Sequence, residues 1–248
     1  MSGGMYLAAA GAMVQQLRLE MLANNVANIN TIGYKGEKSV FRIQPDETTS
    51  GGATNENTLQ PLSPYAPPFS EIVDFNQGAL RQTGNPLDVA ISGDGFFSIQ
   101  TPEGVQYTRQ GSFSLDSDGN LVTQDGYAVL GEGGPINLEA GQIEIDGEGT
   151  LFVDGDEVAQ LQITAFDDPG VLKKAGNARF SLDEGAAAGQ RPEMVEISQG
   201  FLESANVNPI HAMTEMIETS RAFEAYQKVI QSVDAASQTS IKDVGSSF

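Results

Sequence analysis

Residues 5–35 read MYLAAAGAMVQQLRLEMLANNVANINTIGYK, and the spacing of their apolar side chains predicts a helix. The residues that set this spacing follow one another at steps of four and three: Met5, Ala9, Ala12, Gln16, Leu19, Ala23 and Val26. Such a stripe is typical of a coiled-coil seam. A second apolar line lies beside it and contains Tyr6, Ala10, Met13 and Leu17. Because two lines are wider than one partner helix covers, we expect this helix to have several neighbours.

The end of this helix is predicted in an asparagine-rich run that leads to a glycine. The side chains of Asn24, Asn25 and Asn28 compete with the helix for backbone hydrogen bonds. Gly33 tolerates the positive φ angle with which many helices end. On this chemistry alone, the run is an ordinary helix cap.

A second long helix is predicted at the other end of the chain. Asn208 is a good N-cap residue, and Pro209 suits the first helical position. Apolar or small residues then recur every three or four positions: Ile210, Met213, Ile217, Ser220, Phe223, Tyr226, Ile230, Val233, Ser237, Ile241 and Val244. A helix of this length is poorly buried in a monomer.

The centre of the chain predicts short strands, because turn residues interrupt apolar segments every 8 to 12 positions. The predicted strands are Leu87–Ile91, Gly95–Gln100, Val105–Thr108, Asn120–Thr123, Tyr127–Leu130, Gln142–Ile145, Leu151–Val153, Val158–Phe166 and Met194–Ile197. Residues 43–70 are rich in Pro, Ser and Thr and have no apolar periodicity. We expect this linker to be disordered in the monomer or to order only between neighbouring subunits.

The predicted fold class is therefore α+β, with several parts. A discontinuous helical coiled-coil domain, residues 1–42 and 198–248, encloses a central, mainly-β domain, residues 71–197. The net charge of −20 is concentrated in the centre: residues 1–42 carry +2, residues 201–248 carry −3, and the remainder carries −19. We expect the ends to pack against copies of themselves and the acidic centre to face water. Nucleic acid is an unfavourable partner for this charge.

The composition also excludes several classes of chemistry. The chain has no Cys and one His, so it lacks disulfides, thiolate chemistry and the usual zinc sites. The N-terminus lacks the charged and apolar regions of a cleaved signal peptide, and no apolar run is long enough to span a bilayer. The protein is expected either to stay in the cytoplasm or to leave it by another export route.

Candidate ligand sites are weak. Residues 116–120, Asp-Ser-Asp-Gly-Asn, begin like a calcium loop but lack its later ligands, which favours a plain hairpin turn. His211 has no second His or Cys beside it, so a solvent-facing or interface role is favoured. We therefore predict no catalytic residues, cofactor, metal or small-molecule substrate. The alternative from another class is an acidic β protein that binds calcium or carbohydrate.

Three stretches resemble the signatures of the bacterial flagellar rod and hook family, in the family's order. The first runs from Ala23 to Lys35, with Val26 and Tyr34 where the family usually has Leu and Phe. The second covers residues 82–97 and continues through 107–113 and 119–127. The third covers residues 206–209, 215–217 and 221–225. Residues 4–13 and 83–88 are more similar to the proximal than to the distal rod members, which remain the alternative.

The resemblance implies a structural axial subunit of the basal-body rod, not an enzyme. It implies export without a cleaved signal peptide through the flagellar type III apparatus, followed by assembly in the periplasm into a stiff tube that transmits torque. Its partners would be other copies of itself and other rod proteins. The predicted subunit-interface residues are Met5, Ala9, Ala12, Leu19, Ala23, Asn24, Asn25, Val26, Asn28, Gly33, Tyr34, Ile210, Met213, Ile217, Phe223, Ile230, Val233 and Ile241.

Overall fold

A computed structural model describes residues 2–41, 69–183, 185–187, 189–192 and 195–245. These residues form two compact units. The first contains residues 2–26, 37–41, 69–72 and 208–245, and the second contains residues 27–36 and 73–207. The predicted linker, residues 43–70, lies outside the described residues except for its last two positions.

The first unit is built on two antiparallel helices, α1 (Ser2–Ala27) and α2 (Pro209–Gly245). Two contacts establish their direction. Arg18 on α1 forms an ion pair of 3.3 Å with Glu215 near the start of α2. Gly11, about two turns earlier on α1, lies against the ring of Tyr226, farther along α2, so closely that a Cβ on Gly11 would come within 2.5 Å of the ring. Two strands, β1 (Glu37–Phe41) and β2 (Phe69–Val73), pair in the same unit.

The predicted helix ends are confirmed. α1 ends at Ala27, inside the asparagine-rich run, and Gly33 has a φ of +65°. Near the end of α1, the Asn25 amide forms two hydrogen bonds with the backbone of Glu37, donating to its carbonyl at 2.8 Å and accepting from its N–H at 2.9 Å. At the start of α2, Asn208 Oδ1 accepts hydrogen bonds from the next two free N–H groups at 3.0 and 3.2 Å, as an N-cap residue does.

The second unit is made almost entirely of short strands. In chain order they are β3 (Leu80–Gln82), β4 (Val89–Ser92), β5 (Phe96–Thr101), β6 (Gly104–Thr108), β7 (Phe113–Leu115), β8 (Leu121–Thr123), β9 (Ala128–Gly131), β10 (Gly134–Pro135), β11 (Ile143–Ile145), β12 (Thr150–Val153), β13 (Asp156–Gln160), β14 (Ile163–Thr164), β15 (Leu172–Gly176), β16 (Arg179–Leu182), β17 (Glu196–Gln199) and β18 (Phe201–Glu203). Each predicted strand overlaps at least one of these. The strands that were not predicted are β3, β7, β10, β15, β16 and β18.

The largest sheet among the described residues has the order β15-β16-β6-β5-β9-β8-β7, with β10 beside β9 and β14 beside β5. A three-stranded sheet, β11-β12-β13, and two strand pairs, β17-β4 and β18-β3, complete the unit. Its main core contains the fully buried side chains of Val89, Ile91, Phe97, Ile99, Leu121, Val129, Leu151, Leu161 and Ile163. The fold class is thus α+β, as predicted, with a mainly-β centre and a helix at each end of the chain.

Candidate assembly site

Both helices of the first unit expose large apolar side chains to solvent. On α1 these are Met5, Tyr6, Leu7 and Met13, which we call the α1 patch. Near the start of α2 they are Ile210, Met213 and Ile217, which we call the α2 patch; Ile210 is 78% exposed. Each patch lies in the first part of its own helix. Because the helices are antiparallel, the two patches lie toward opposite ends of the helix pair.

The predicted interface residues of α1 lie mostly on the face that the chain leaves open. Met5, Ala9, Ala23 and Asn24 are exposed, and Leu19, Val26 and Asn28 are half-buried. Ala12 is the member of the predicted seam that is buried. The chain buries a different set of positions on α1, which contains Ala8, Val14, Met21 and Leu22 as well as Ala12.

The predicted stripe on α2 divides into two parts. Its first three members form the exposed α2 patch, whereas Phe223, Ile230 and Val233 are half-buried. Near the start of α2 the buried side chains are those of Ala212 and Thr219, which lie off the predicted stripe. Ile241 lies outside the residues whose side chains the structure describes.

Three predicted interface residues, Asn25, Gly33 and Tyr34, are buried by contacts within the chain. Asn25 holds the backbone of Glu37, as described above. Gly33 donates its N–H to the carbonyl of Glu203 at 2.8 Å, and a Cβ at Gly33 would lie 2.5 Å from the backbone that follows Arg109. The ammonium group of Lys174 lies 4.4 Å from the centre of the Tyr34 ring, a cation–π contact. These residues position the chain after α1, and their contacts account for the glycine and the aromatic residue without a partner subunit.

The second unit also contains a buried ion cluster that sequence reasoning missed: Lys35, Arg109 and Glu203. Lys35 Nζ lies 2.7 Å from Glu203 Oε1, and Arg109 Nη1 lies 3.4 Å from Glu203 Oε2. The three side chains are at most 4% exposed. The cluster joins residues from the first family-like stretch, the centre and the last strand. The feature of the sequence that indicates this cluster is Glu203, an acidic residue at the end of an otherwise apolar strand.

Backbone groups complete the cluster. Lys35 Nζ also donates to the carbonyls of Asn76 at 2.9 Å and Phe75 at 3.3 Å. Glu203 Oε1 accepts the N–H of Gly78 at 2.7 Å. Arg109 donates to the carbonyl of Gly93 at 2.6 Å. A fixed set of donors and acceptors around paired charges specifies one arrangement of three distant segments.

Two cations of the cluster contact one carboxylate, and the charges of Asp74 and Asp94 also act on Lys35 and Arg109, respectively. Burial lowers the pKa of Lys35, and the neighbouring Glu203 carboxylate opposes this change. Burial likewise lowers the pKa of Arg109, again opposed by Glu203. Each of the three groups is held by ion pairs and backbone hydrogen bonds, so the cluster connects three segments of the chain.

The weak candidates for ligand binding lie in a hairpin turn and on the surface. Asp116 Oδ1 accepts the backbone N–H groups of Asp118 and Asn120 at 2.9 and 2.8 Å, and Oδ2 accepts the Asn120 amide at 2.8 Å. Its carboxylate is thus used by its own hairpin, as predicted for a plain turn. His211 is exposed. Among the described residues, no three side chains of the metal-binding types come together, and no helix is both long and apolar enough to cross a membrane.

Comparisons with known proteins agree with the three family-like stretches. Family models match residues 5–35 (flagella basal body rod protein), 90–153 (flagellar hook protein FlgE/F/G D1 domain) and 198–243 (flagellar basal body rod FlgEFG protein, C-terminal). The chain is 33% identical to flagellar basal-body rod protein FlgF of Rhizobium meliloti, over 100% of both chains. It is 35% identical to flagellar basal-body rod protein FlgG of Borreliella burgdorferi, over 94% of this chain and 96% of the relative.

A third relative, flagellar basal-body rod protein FlgG of Bacillus subtilis, is 34% identical over 93% of this chain and 94% of its own. Family models and relatives thus extend over both helices and the β-rich centre, in one continuous order along the chain. The chain belongs to the flagellar basal-body rod protein family.

Proposed function

We propose that this chain is a structural subunit of the flagellar basal-body rod, which polymerises through its terminal helices into a stiff tube that transmits torque. The observation that carries this proposal is the pair of exposed apolar patches on α1 and α2. A monomer that leaves the seven large apolar side chains of these patches in water is complete only when neighbours cover them.

The magnitude of this burial favours a polymer over a simple dimer. Full burial of a large apolar side chain contributes about 1.5–3 kcal/mol, and the patch residues are already partly covered, so about 1 kcal/mol for each is realistic. Seven residues then give on the order of 7 kcal/mol, which is comparable with the cost of association, about 4–15 kcal/mol. One contact is therefore marginal, and many contacts per subunit are needed for a durable assembly.

The placement of the patches favours head-to-tail growth. Patches toward opposite ends of one helix pair can meet in successive subunits as heterologous contacts, which generate an open helical assembly when the rotation between subunits does not close a ring. The open seam on α1, from Met5 to Val26, is then the surface on which neighbouring helices pack as a coiled coil.

The finer parts of the proposal rest on the family. We infer that the chain is the proximal subunit, that its partners are other copies and other rod proteins, and that the type III apparatus exports it to the periplasm without cleavage of a signal peptide. The absence of Cys suits a chain that travels unfolded, because no disulfide forms on the way.

The α2 patch provides the test. Ile217→Glu places a charge on the patch, and Gln227→Glu places the same charge on an exposed polar position of the same helix. In a flagellated host that lacks its own copy of this gene, we expect Ile217→Glu to abolish motility and to remove the chain from purified basal bodies. The purified variant should keep the stability of the parent within about 0.5 kcal/mol. Normal incorporation of Ile217→Glu, or equal loss with Gln227→Glu, would contradict the proposal.

A further inference from the structure

Two strands of the second unit combine a free edge with an exposed apolar side chain. In the part of the chain that the structure describes, β3 pairs only with β18, and β13 pairs along its length only with β12. Leu80 on β3 is 38% exposed and Val158 on β13 is 46% exposed. Among the described residues of this unit, Val105 is the one other large aliphatic side chain exposed to this extent. Free strand edges are surfaces on which another strand can pair.

The hairpin that leads into β13 resembles another hairpin of the same unit, and the comparison shows that a strand can pair with an edge of this kind. The hairpins β7–β8 and β11–β12 have the same register, offset by 30 residues: Leu115 pairs with Leu121, and Ile145 pairs with Leu151. Their turns are also alike. Asp146 Oδ1 accepts the N–H groups two and four positions ahead at 2.9 and 2.8 Å, the same pattern as at Asp116. Both hairpins continue into a third strand, β9 and β13 respectively.

The two copies differ in what covers this third strand. Val122 pairs with Ala128 in the first copy and Phe152 with Glu157 in the second. In the second copy the register shifts between Leu151 and Phe152, so Val158 is the extra residue of a β-bulge and has no counterpart in β9. In the first copy β5 pairs with β9 and places Ile99 opposite Val129, which is fully buried. In the second copy Glu132 donates its backbone N–H to the carbonyl of Gln160 at 3.0 Å, at the end of β13, and no described strand lies beside residues 156–159. The outer edge of the third strand is therefore covered in the first copy and open over the first four residues of β13 in the second.

The charged side chains of β13 and β3 have opposite signs, which makes the edges of these two strands complementary. β13 begins with Asp156 and Glu157, both exposed, so a second β13 edge would meet it with like charges. β3 has the opposite character, because it carries the exposed Arg81 beside Leu80. The other basic residues of the second unit's strands and loops have partners within the chain: Lys173 with Asp183, Arg191 with Glu132, Arg179 with Asp125 and Gln106, Lys174 with Tyr34, and Lys35 and Arg109 with Glu203.

The backbone of β3 is also arranged for pairing. Thr83 donates its N–H to Gly200, and Ala79 accepts from Ser204, so these groups point toward β18. Since hydrogen-bonding directions alternate along an antiparallel strand, the N–H and C=O groups of Leu80 and Gln82 point toward the free edge.

We propose that β3 of one copy adds to the edge of β13 in the next copy of this chain, with Arg81 facing the carboxylate of Glu157. This inference rests on the proposed function, since it supplies a second, outer contact between subunits of the rod. The contact joins two different edges, so it is heterologous, and it continues from subunit to subunit in an open helical assembly when the rotation between subunits does not close a ring.

The absence of Cys makes disulfide cross-linking a direct test. The double variant Arg81→Cys/Glu157→Cys is expressed in the flagellated host, basal bodies are purified and oxidised, and the products are separated without reductant. We expect a ladder of dimers, trimers and longer multimers. The control Arg81→Cys/Val105→Cys should give no ladder, because Val105 lies on β6, away from both edges.

Assembled rods of the double variant without a ladder would overturn this inference and leave the proposed function intact. Failure of the parent chain to copurify with basal bodies would instead refute the proposed function. A charge exchange gives a second measurement: Arg81→Glu should lower incorporation about 1.4- to 5-fold for each cross-strand charge pair that it removes, and Arg81→Glu/Glu157→Arg should restore it. An exchange variant that incorporates no better than Arg81→Glu would show that β13 is a protected edge without a partner.

Discussion

Removal of Lys35 from the buried ion cluster is the most informative perturbation of the second unit. Lys35→Met deletes an ammonium group that contacts Glu203 at 2.7 Å and two backbone carbonyls. Breaking a buried pair by removing one partner costs about 3–5 kcal/mol. At about 2–4 °C per kcal/mol for a domain of this size, the Tm of the second unit should fall by about 6–20 °C.

The ion pairs rank the variants. Lys35→Met leaves the pair of Arg109 and Glu203 in place, whereas Glu203→Gln removes the carboxylate that both cations contact and leaves them only the charges of Asp74 and Asp94. We therefore expect the larger loss for Glu203→Gln. Arg81→Met, which removes an exposed cation from the same unit, is the control and should change stability by less than about 0.5 kcal/mol. Calorimetry that finds Lys35→Met as stable as Arg81→Met, or Glu203→Gln milder than Lys35→Met, would refute this account.

Three further predictions concern local geometry. Gly33→Ala should destabilise more than Gly84→Ala in urea unfolding: both glycines have positive φ, but only a Cβ at Gly33 meets neighbouring backbone. Asn208→Ala should cost about 1 kcal/mol, measured by loss of helix on heating, because it removes the cap of α2. Hydrogen bonds, above all from the Asn120 side chain, lower the pKa of Asp116 below 3.8. The charge thus stabilises the fold above that value, and the Tm difference between Asp116→Asn and the parent should shrink as pH falls through the lowered pKa.

Features with local causes were predictable from the sequence. Gly33 and Asn208 act through their own φ angle and cap hydrogen bonds, so nearby residues determine them. Strands rich in apolar residues and bounded by turns, such as β5, were predicted for the same reason. β15 and β16 were missed because their exposed positions are polar and the segment lacks an apolar alternation.

Features that depend on distant residues were not predictable. Nothing near Lys35 indicates that its carboxylate partner, Glu203, is 168 positions away. The face of α1 that the chain itself buries was equally hidden, because an alanine-rich helix offers apolar positions around much of its circumference. The chain buries Ala8 and Leu22 and leaves Ala9 and Ala23 exposed. Tertiary packing therefore determines which of two apolar faces of similar composition is buried on α1.

The position of Glu203 in the chain has a consequence for the timing of folding. Lys35, in the segment that follows α1, pairs with the carboxylate of Glu203, far along the 248-residue sequence. In a chain that left a pore N-terminus first, as the proposed export requires, this pair would form only after about four-fifths of the residues had emerged. The second unit would then complete its fold late in transit, and the segment after α1 would stay unfolded while it passed the pore.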